Sequence, residues 1–319
     1  MRKILLISLI SFVAIMGLNA PTQAEITVIQ VTSNSSEDSM PQIKGSHVVW
    51  QRYWNGDWEI FLYDMTTGLI QQITNNEYDD ISPQTDGKYV VWMACSGSGG
   101  EICVHNITTG ESRQITNNTN IDSLPRIADG RVVWTSNAVA GSIGPGEIVL
   151  HDIETKVTEQ LTSNAVDDIS PRISSNAVIW VRMDQDDNGT MFVHYLPCGP
   201  TVQAPEGFVW QESPQTDGDL TVSMRNDGND WEITLSNNVQ KEMEQITDNF
   251  INDRYPRISG DNIVWMSGQG GDSEIYLGSY GTVVPPDLED DGNNLARLIR
   301  DRILQIFSGV TRGLGKMAS

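Results

Sequence analysis

Cysteine is scarce, with three residues in 319, which is too few for a disulfide framework. Positive charge is scarce as well, since 20 Lys and Arg stand against 42 Asp and Glu and the formal net charge is −22. A nucleic-acid partner is thereby excluded, because a phosphate-binding surface must be positive. After residue 24 no run approaches the roughly 18 to 20 apolar residues that a membrane helix needs, so no transmembrane segment is expected. Catalytic signatures are missing too: the chain contains no G-x-S-x-G elbow, no H-E-x-x-H helix and no Walker-type loop.

Residues 1–24 combine Arg2 and Lys3, an apolar run from Ile4 to Leu18 and small residues at Thr22 and Ala24, the pattern of a secretory signal. The mature chain then starts near Glu25 with a charge of −24, as an exported protein of the cell surface, periplasm or exterior. Export permits a bridge between Cys95 and Cys103, which flank one short loop, and leaves Cys198 odd. Strand register decides between that bridge and two thiols.

The phrase QITNNEYDDISPQTDGKYVVW returns along the chain at a period near 42 residues, the mark of a repeat architecture. Prolines anchor it at Pro41, Pro83, Pro125, Pro171, Pro214 and Pro256, and nine residues later stand Trp50, Trp92, Trp134, Trp180 and Trp265, with Ser223 in the fifth copy. Each copy carries four short β-type runs separated by turn formers, as in Pro83 to Thr85, Tyr89 to Ala94, Glu101 to His105 and Ser112 to Thr116. No copy shows a 3.6-residue apolar period, which excludes a helical solenoid. The spacing predicts an all-β, six-bladed β-propeller of four-stranded antiparallel blades over residues 25–280. Its ring is expected to close through the N-terminal run ITVIQVTSN, which supplies the strand that the sixth copy lacks.

Units such as SPQTDGKYVVW followed by GEICVHNITTGESRQIT resemble the repeats of TolB-type six-bladed propellers from Ile26 to Tyr280. That resemblance implies the fold and says little of activity. The chain has no room before the repeats for the α/β domain that precedes the propeller in TolB, so that protein's partner does not carry over. Some related propellers are metal-dependent lyases with converging histidines, whereas His105, His151 and His194 fall on equivalent third-strand positions of different blades. Neighbouring copies of such a position lie well over about 10 Å apart, too far to share a metal.

The tryptophans are expected to fill the wedges between blades. Asp38, Asp80, Asp122, Asp168 and Asp253 stand three residues before the prolines, and either accept backbone N–H bonds in turns or form a ring of carboxylates at the channel mouth. Strand alternation places the loop leading into each blade and the hairpin between its second and third strands on one face. That face gathers Glu77, Asp79, Asp80, Asp167, Asp168, Asp253 and the aromatic residues Tyr53, Trp54, Trp58 and Trp231. These four rings are the candidate ligand-binding residues for a protein, peptide or glycan, with Trp54 at a loop tip. Trp58 and Trp231, each before a Glu-Ile pair, either join that surface or fold back over their hairpins.

Asp184, Asp186 and Asn188 before Gly189 copy the opening of a calcium loop, but Tyr195 replaces the bidentate glutamate at its twelfth position. The loop either binds calcium or serves as a polar turn; no other cofactor is implied. Residues 281–292 read as an acidic linker. Residues 293–319 form an amphipathic helix pattern, with Leu295, Leu298, Ile299, Ile303, Ile306, Phe307 and Val310 on one stripe and Arg297, Arg300 and Arg302 opposite. That stripe docks on the propeller, or on a partner, a second copy or a membrane surface. The functional expectation is a non-catalytic binding or scaffold module, and the alternative is an extracellular carbohydrate-active enzyme, a lyase or glycosidase, on the same face.

Overall fold

The computed structural model describes residues 26–95, 99–137, 145–184, 189–204, 215–237, 242–268 and 271–280. The expected signal segment, acidic linker and C-terminal helix lie outside these residues. Within them the chain is all-β and forms six four-stranded antiparallel sheets. Sheet 1 runs through Asp38–Lys44, His47–Trp54, Asp57–Asp64 and Leu69–Gln72, and sheet 2 through Asp80–Thr85, Tyr89–Ala94, Glu101–Asn106 and Ser112–Gln114. Sheet 3 comprises Ile121–Ala128, Arg131–Asn137, Glu147–Asp152 and Thr158–Gln160; sheet 4 comprises Asp168–Ile173, Ala177–Met183, Gly189–Tyr195 and Thr201–Gln203. Sheet 5 is built from Gln215–Asp217, Leu220–Asn226, Trp231–Asn237 and Glu242–Gln245. In sheet 6 the strands Asp253–Ser259, Asn262–Ser267 and Glu274–Tyr280 are completed by Ile26–Gln30, which pairs with Glu274–Tyr280 from Ile26 opposite Tyr280 to Gln30 opposite Tyr276. The two ends of the repeat array are thus hydrogen-bonded to each other.

First strands of successive sheets lie against one another, 1 on 2, 2 on 3, 3 on 4, 5 on 6 and 6 on 1, so the first strand of each sheet is the inner one. Between the sheets the alternating apolar side chains meet in separate cores. Val49, Ile60 and Leu62 of sheet 1 pack on Val90 and Trp92 of sheet 2, and Val133, Ile148 and Leu150 of sheet 3 pack on Val178 and Trp180 of sheet 4. All five repeat tryptophans are buried, as expected. Trp50, Trp180 and Trp265 also stack on their cross-strand partners Phe61, Phe192 and Tyr276 at about 6 Å between ring centres.

The aspartates three residues before the prolines are neither turn caps nor an exposed ring. Asp38, Asp80, Asp122, Asp168 and Asp253 are at most 1% exposed. In four of them Oδ1 accepts the indole N–H of the same sheet's tryptophan: Asp38 from Trp50 (2.8 Å), Asp80 from Trp92 (2.9 Å), Asp122 from Trp134 (3.0 Å) and Asp168 from Trp180 (2.9 Å). Their Oδ2 atoms accept from the amide of an asparagine four residues earlier, as in Asn76 to Asp80 (2.6 Å) and Asn34 to Asp38 (2.8 Å). Each such asparagine donates its backbone N–H to a glutamate on the preceding sheet, as in Asn76 to Glu59 (2.7 Å) and Asn34 to Glu274 (2.6 Å). A threonine two residues before the asparagine completes the link by accepting the N–H after that glutamate, Ile60 to Thr74 and Ile102 to Thr116 both at 2.8 Å. One buried polar relay therefore ties each sheet to the next at five seams.

Charge compensation differs between seams. Arg52 makes a two-pronged ion pair with Asp38 (2.6 and 3.1 Å) and Arg182 does the same with Asp168 (2.8 and 2.8 Å), each guanidinium lying over a neighbouring phenylalanine ring. Ala94 holds the equivalent place beside Asp80. Burial without a cation pushes the Asp80 carboxyl up to about 6 despite its hydrogen bonds, and burial also raises Glu59 and Glu274. A folded-state value above the unfolded one stabilises the fold at low pH and loses that contribution as pH rises through the folded value.

Two measurements test these links. Deleting residues 25–33 removes the strand that joins the ends and should lower the melting temperature by roughly 10 °C or more; an unchanged melt would show that the ring does not depend on it. Melting temperature should rise as pH falls from 7.5 to about 5, and Asp80→Asn should flatten that rise by removing about 1.4 kcal/mol of pH-linked stability. A wild-type protein that is less stable at pH 5 than at pH 7.5 contradicts the assignment.

Candidate functional site

In five repeats the anchoring proline is the second residue of a bulge in the inner strand, where the register slips between Ser39 and Gln42, Ile81 and Gln84, Ser123 and Arg126, Ile169 and Arg172, and Arg254 and Arg257. In the five repeats where it is described, the residue before the proline takes a left-handed conformation: Met40, Ser82, Leu124, Ser170 and Tyr255 have φ between 54° and 57°. Such a conformation costs on the order of 1–3 kcal/mol per residue and persists only where its surroundings enforce it. Here the buried proline and the aspartate relay hold it from both sides. Its consequence is that these side chains leave the strand alternation, and Met40, Leu124 and Tyr255 are exposed.

Met40 and Tyr255 meet at the seam between sheets 6 and 1, where they line a cleft of about 520 Å³. Its other walls include Trp58, Arg254, Glu37, Asn252 and Met266. Trp58 is half-buried and packs edge-on against Tyr53 at 5.6 Å, while the Tyr53 hydroxyl donates to the Gly56 carbonyl (2.9 Å), which lays that ring along its own hairpin. Trp58 thus folds onto its own hairpin and also lines the cleft. Trp54 flanks the Asn55-Gly56 turn, whose two positive φ angles suit a two-residue hairpin, and is 39% exposed beside Asp57. It is not among the cleft residues. Trp231, 38% exposed, belongs to the sheet 5 hairpin, and its backbone N–H donates to the Asn252 side chain (3.2 Å), itself a cleft residue. The structure thus brings Trp58 into the cleft with Tyr53 behind it, places Trp231 one sheet away behind Asn252, and leaves Trp54 on the hairpin tip.

The acidic face is thinner than the sequence implies. Asp80, Asp168 and Asp253 are withdrawn into the seams because they serve the relay, and Asp79 and Asp167 accept the backbone N–H of Trp58 (3.0 Å) and Gly146 (2.7 Å) from the preceding hairpin. Glu77, Asp79 and Asp167 remain exposed. Asp184 ends the described part of its hairpin and is exposed, whereas Asp186 and Asn188 lie outside the described residues.

The histidines do not converge. Nδ1 of His105, His151 and His194 each meets a hydroxyl on the fourth strand of its own sheet, Ser112 (2.9 Å), Thr158 (2.8 Å) and Thr201 (3.0 Å). Cys95 and Cys103 are thiols without a bridge, and burial pushes Cys103 up to about 12, which keeps it protonated and unreactive. The bulge residues are what sequence reasoning missed. Their signal was present as a variable position, Met, Ser, Leu, Ser, Ser and Tyr, directly before a proline common to all six copies.

No protein-family model matches the chain, and no curated protein sequence matches it. Among solved structures it is similar to the oligogalacturonate lyase of Vibrio parahaemolyticus, at 13% identity and a TM-score of 0.56, over 82% of this chain and 94% of that one. TolB of Acinetobacter baumannii aligns at 15% identity and a TM-score of 0.42 over 70% of this chain but only 60% of its own, less than two thirds of that protein. The β-propeller domain of the Trilobed protease from Pyrococcus furiosus aligns at 13% identity and a TM-score of 0.43, over 78% and 82% of the two chains. At these identities the likeness is one of fold, and the fold is a β-propeller.

Proposed function

We propose that this chain is an exported, non-catalytic, six-bladed propeller that captures an extended polypeptide segment of a partner protein in the cleft between sheets 6 and 1. The observation that supports this reading is the composition of the cleft walls: Trp58, Tyr255, Met40 and Met266 offer apolar and aromatic surface, and Arg254, Glu37 and Asn252 offer both charges and an amide. An extended peptide presents the same mixture, with side chains alternating with backbone donors and acceptors. Thioether side chains repack around varied peptide sequences at low cost. A rigid scaffold of tied sheets keeps the rings in place, so little ordering cost falls on binding.

A peptide and glycan array screened with residues 25–319 should return peptide ligands. Trp58→Ala and Arg254→Ala should each weaken a confirmed peptide at least about tenfold, or 1.4 kcal/mol, while Trp54→Ala leaves it within about twofold. Wild-type affinity in both cleft variants would remove the cleft from the site. Glycan hits that are lost in Trp54→Ala would move recognition to the hairpin tip.

A further inference from the structure

The hairpin joining the second and third strands of sheet 5 reads Asn226-Asp227-Gly228-Asn229-Asp230-Trp231-Glu232. Gly228 has φ of 108°, which permits the turn, and Asp227 Oδ1 accepts the backbone N–H groups of Asn229 (2.8 Å) and Asp230 (3.2 Å). The loop therefore wraps around a carboxylate. Asp230 is only 5% exposed, yet neither of its oxygens has a hydrogen-bond partner. Glu232 is 1% exposed; its Oε1 accepts the Asn249 N–H (2.8 Å), and its Oε2 has no partner. Oxygens of Asp227, Asp230 and Glu232 all lie within 4.8 Å of one another. No salt bridge reaches any of the three among the described residues.

Buried ionised carboxylates without a counter-charge cost several kcal/mol, and folded proteins keep such groups paired or on a metal. The corresponding glutamates of sheets 2 and 3 have no such deficit, since the Oε2 atoms of Glu101 and Glu147 accept the hydroxyls of Thr116 and Thr162. Sheet 1 repeats the order Asp57-Trp58-Glu59 on a two-residue turn and leaves Glu59 Oε2 without a partner as well, but Asp57 there is half-exposed and no third carboxylate among the described residues joins the pair. In sheet 5 the turn is longer than in sheet 1, and a second carboxylate, Asp227, faces the pair.

We propose that this hairpin holds a divalent cation of the calcium class, ligated by Asp227, Asp230 and Glu232. Calcium takes oxygen ligands at about 2.3–2.6 Å, so ligands on one ion are separated by at most about twice that distance. The mutual separation within 4.8 Å meets that limit without movement of the backbone. Hard oxygen donors and three negative charges suit calcium, and the second oxygen of Asp230 with solvent water completes a shell of six to eight. Magnesium, which demands near-ideal octahedral geometry and keeps its waters, fits this irregular set less well. A bound ion would also stiffen the turn whose next N–H, that of Trp231, holds Asn252 beside the cleft.

The test uses the full mature chain stripped of metal with a chelator. Calcium should raise the melting temperature by about 5 °C or more at saturation, and terbium should give emission sensitised by the adjacent Trp231 that calcium displaces. Asp230→Asn should abolish both responses while its metal-free melt equals or exceeds that of the wild type, because its carboxylate has no hydrogen bond to lose. Asp227→Asn, at an exposed side chain, provides a second variant should Asp230→Asn fail to fold, and Trp231→Phe should keep the calcium shift but lose the sensitised emission. An unchanged wild-type melt with calcium overturns the proposal. So does an equal shift with magnesium, or a calcium response that survives in Asp230→Asn and Asp227→Asn but disappears in Asp186→Ala, which would place the ion on the other acidic hairpin. Peptide binding in the cleft is measured separately, so loss of the cation site leaves that reading standing.

Discussion

Neighbouring sheets of a propeller share no backbone ladder, and what fastens them here is a buried carboxylate held by an indole and an asparagine. The aspartate fixes the tryptophan that fills the wedge behind it, and the asparagine reaches back to the glutamate of the preceding sheet. Polar and apolar contributions are thereby made to depend on each other. Losing the indole would strand a buried acceptor, and losing the carboxylate would unseat a large ring, each an expensive event in a low-dielectric seam.

The relay also explains which part of the architecture was legible. Period, prolines, tryptophans and turn formers announce local backbone geometry, and the strand bounds of sheet 2 agree with the sequence runs to within a few residues. Placing His105, His151 and His194 on equivalent strand positions was enough to separate them, because strand spacing is a fixed length. The partners of the relay were not legible. Glu59, Thr74, Asn76 and Asp80 are ordinary polar residues in sequence, and their association depends on the rotation of one sheet against the next.

Charge counting misled for the same reason. An aspartate in a loop phrase looks like surface, but the phrase TNNEYDD carries one side chain into a seam at Asp80 and leaves its neighbour Asp79 to cap the adjacent hairpin. The fifth repeat supplies the complementary case. Gln211 and Ser223 replace the aspartate and tryptophan there, the Ser223 hydroxyl turns to Thr234 at 2.8 Å instead, and the same sheet carries the hairpin with unpartnered carboxylates.

The left-handed residue before each repeat proline separates two demands that usually compete at a single position. Backbone shape at Met40, Ser82, Leu124, Ser170 and Tyr255 is the same whatever the residue, and the three large side chains among them stand exposed and outside the cores between sheets. Five equivalent positions already carry four different residue types within one chain. The surface the inner strands present can therefore change by single substitutions while the backbone shape stays the same, which makes the scaffold evolvable one sheet at a time.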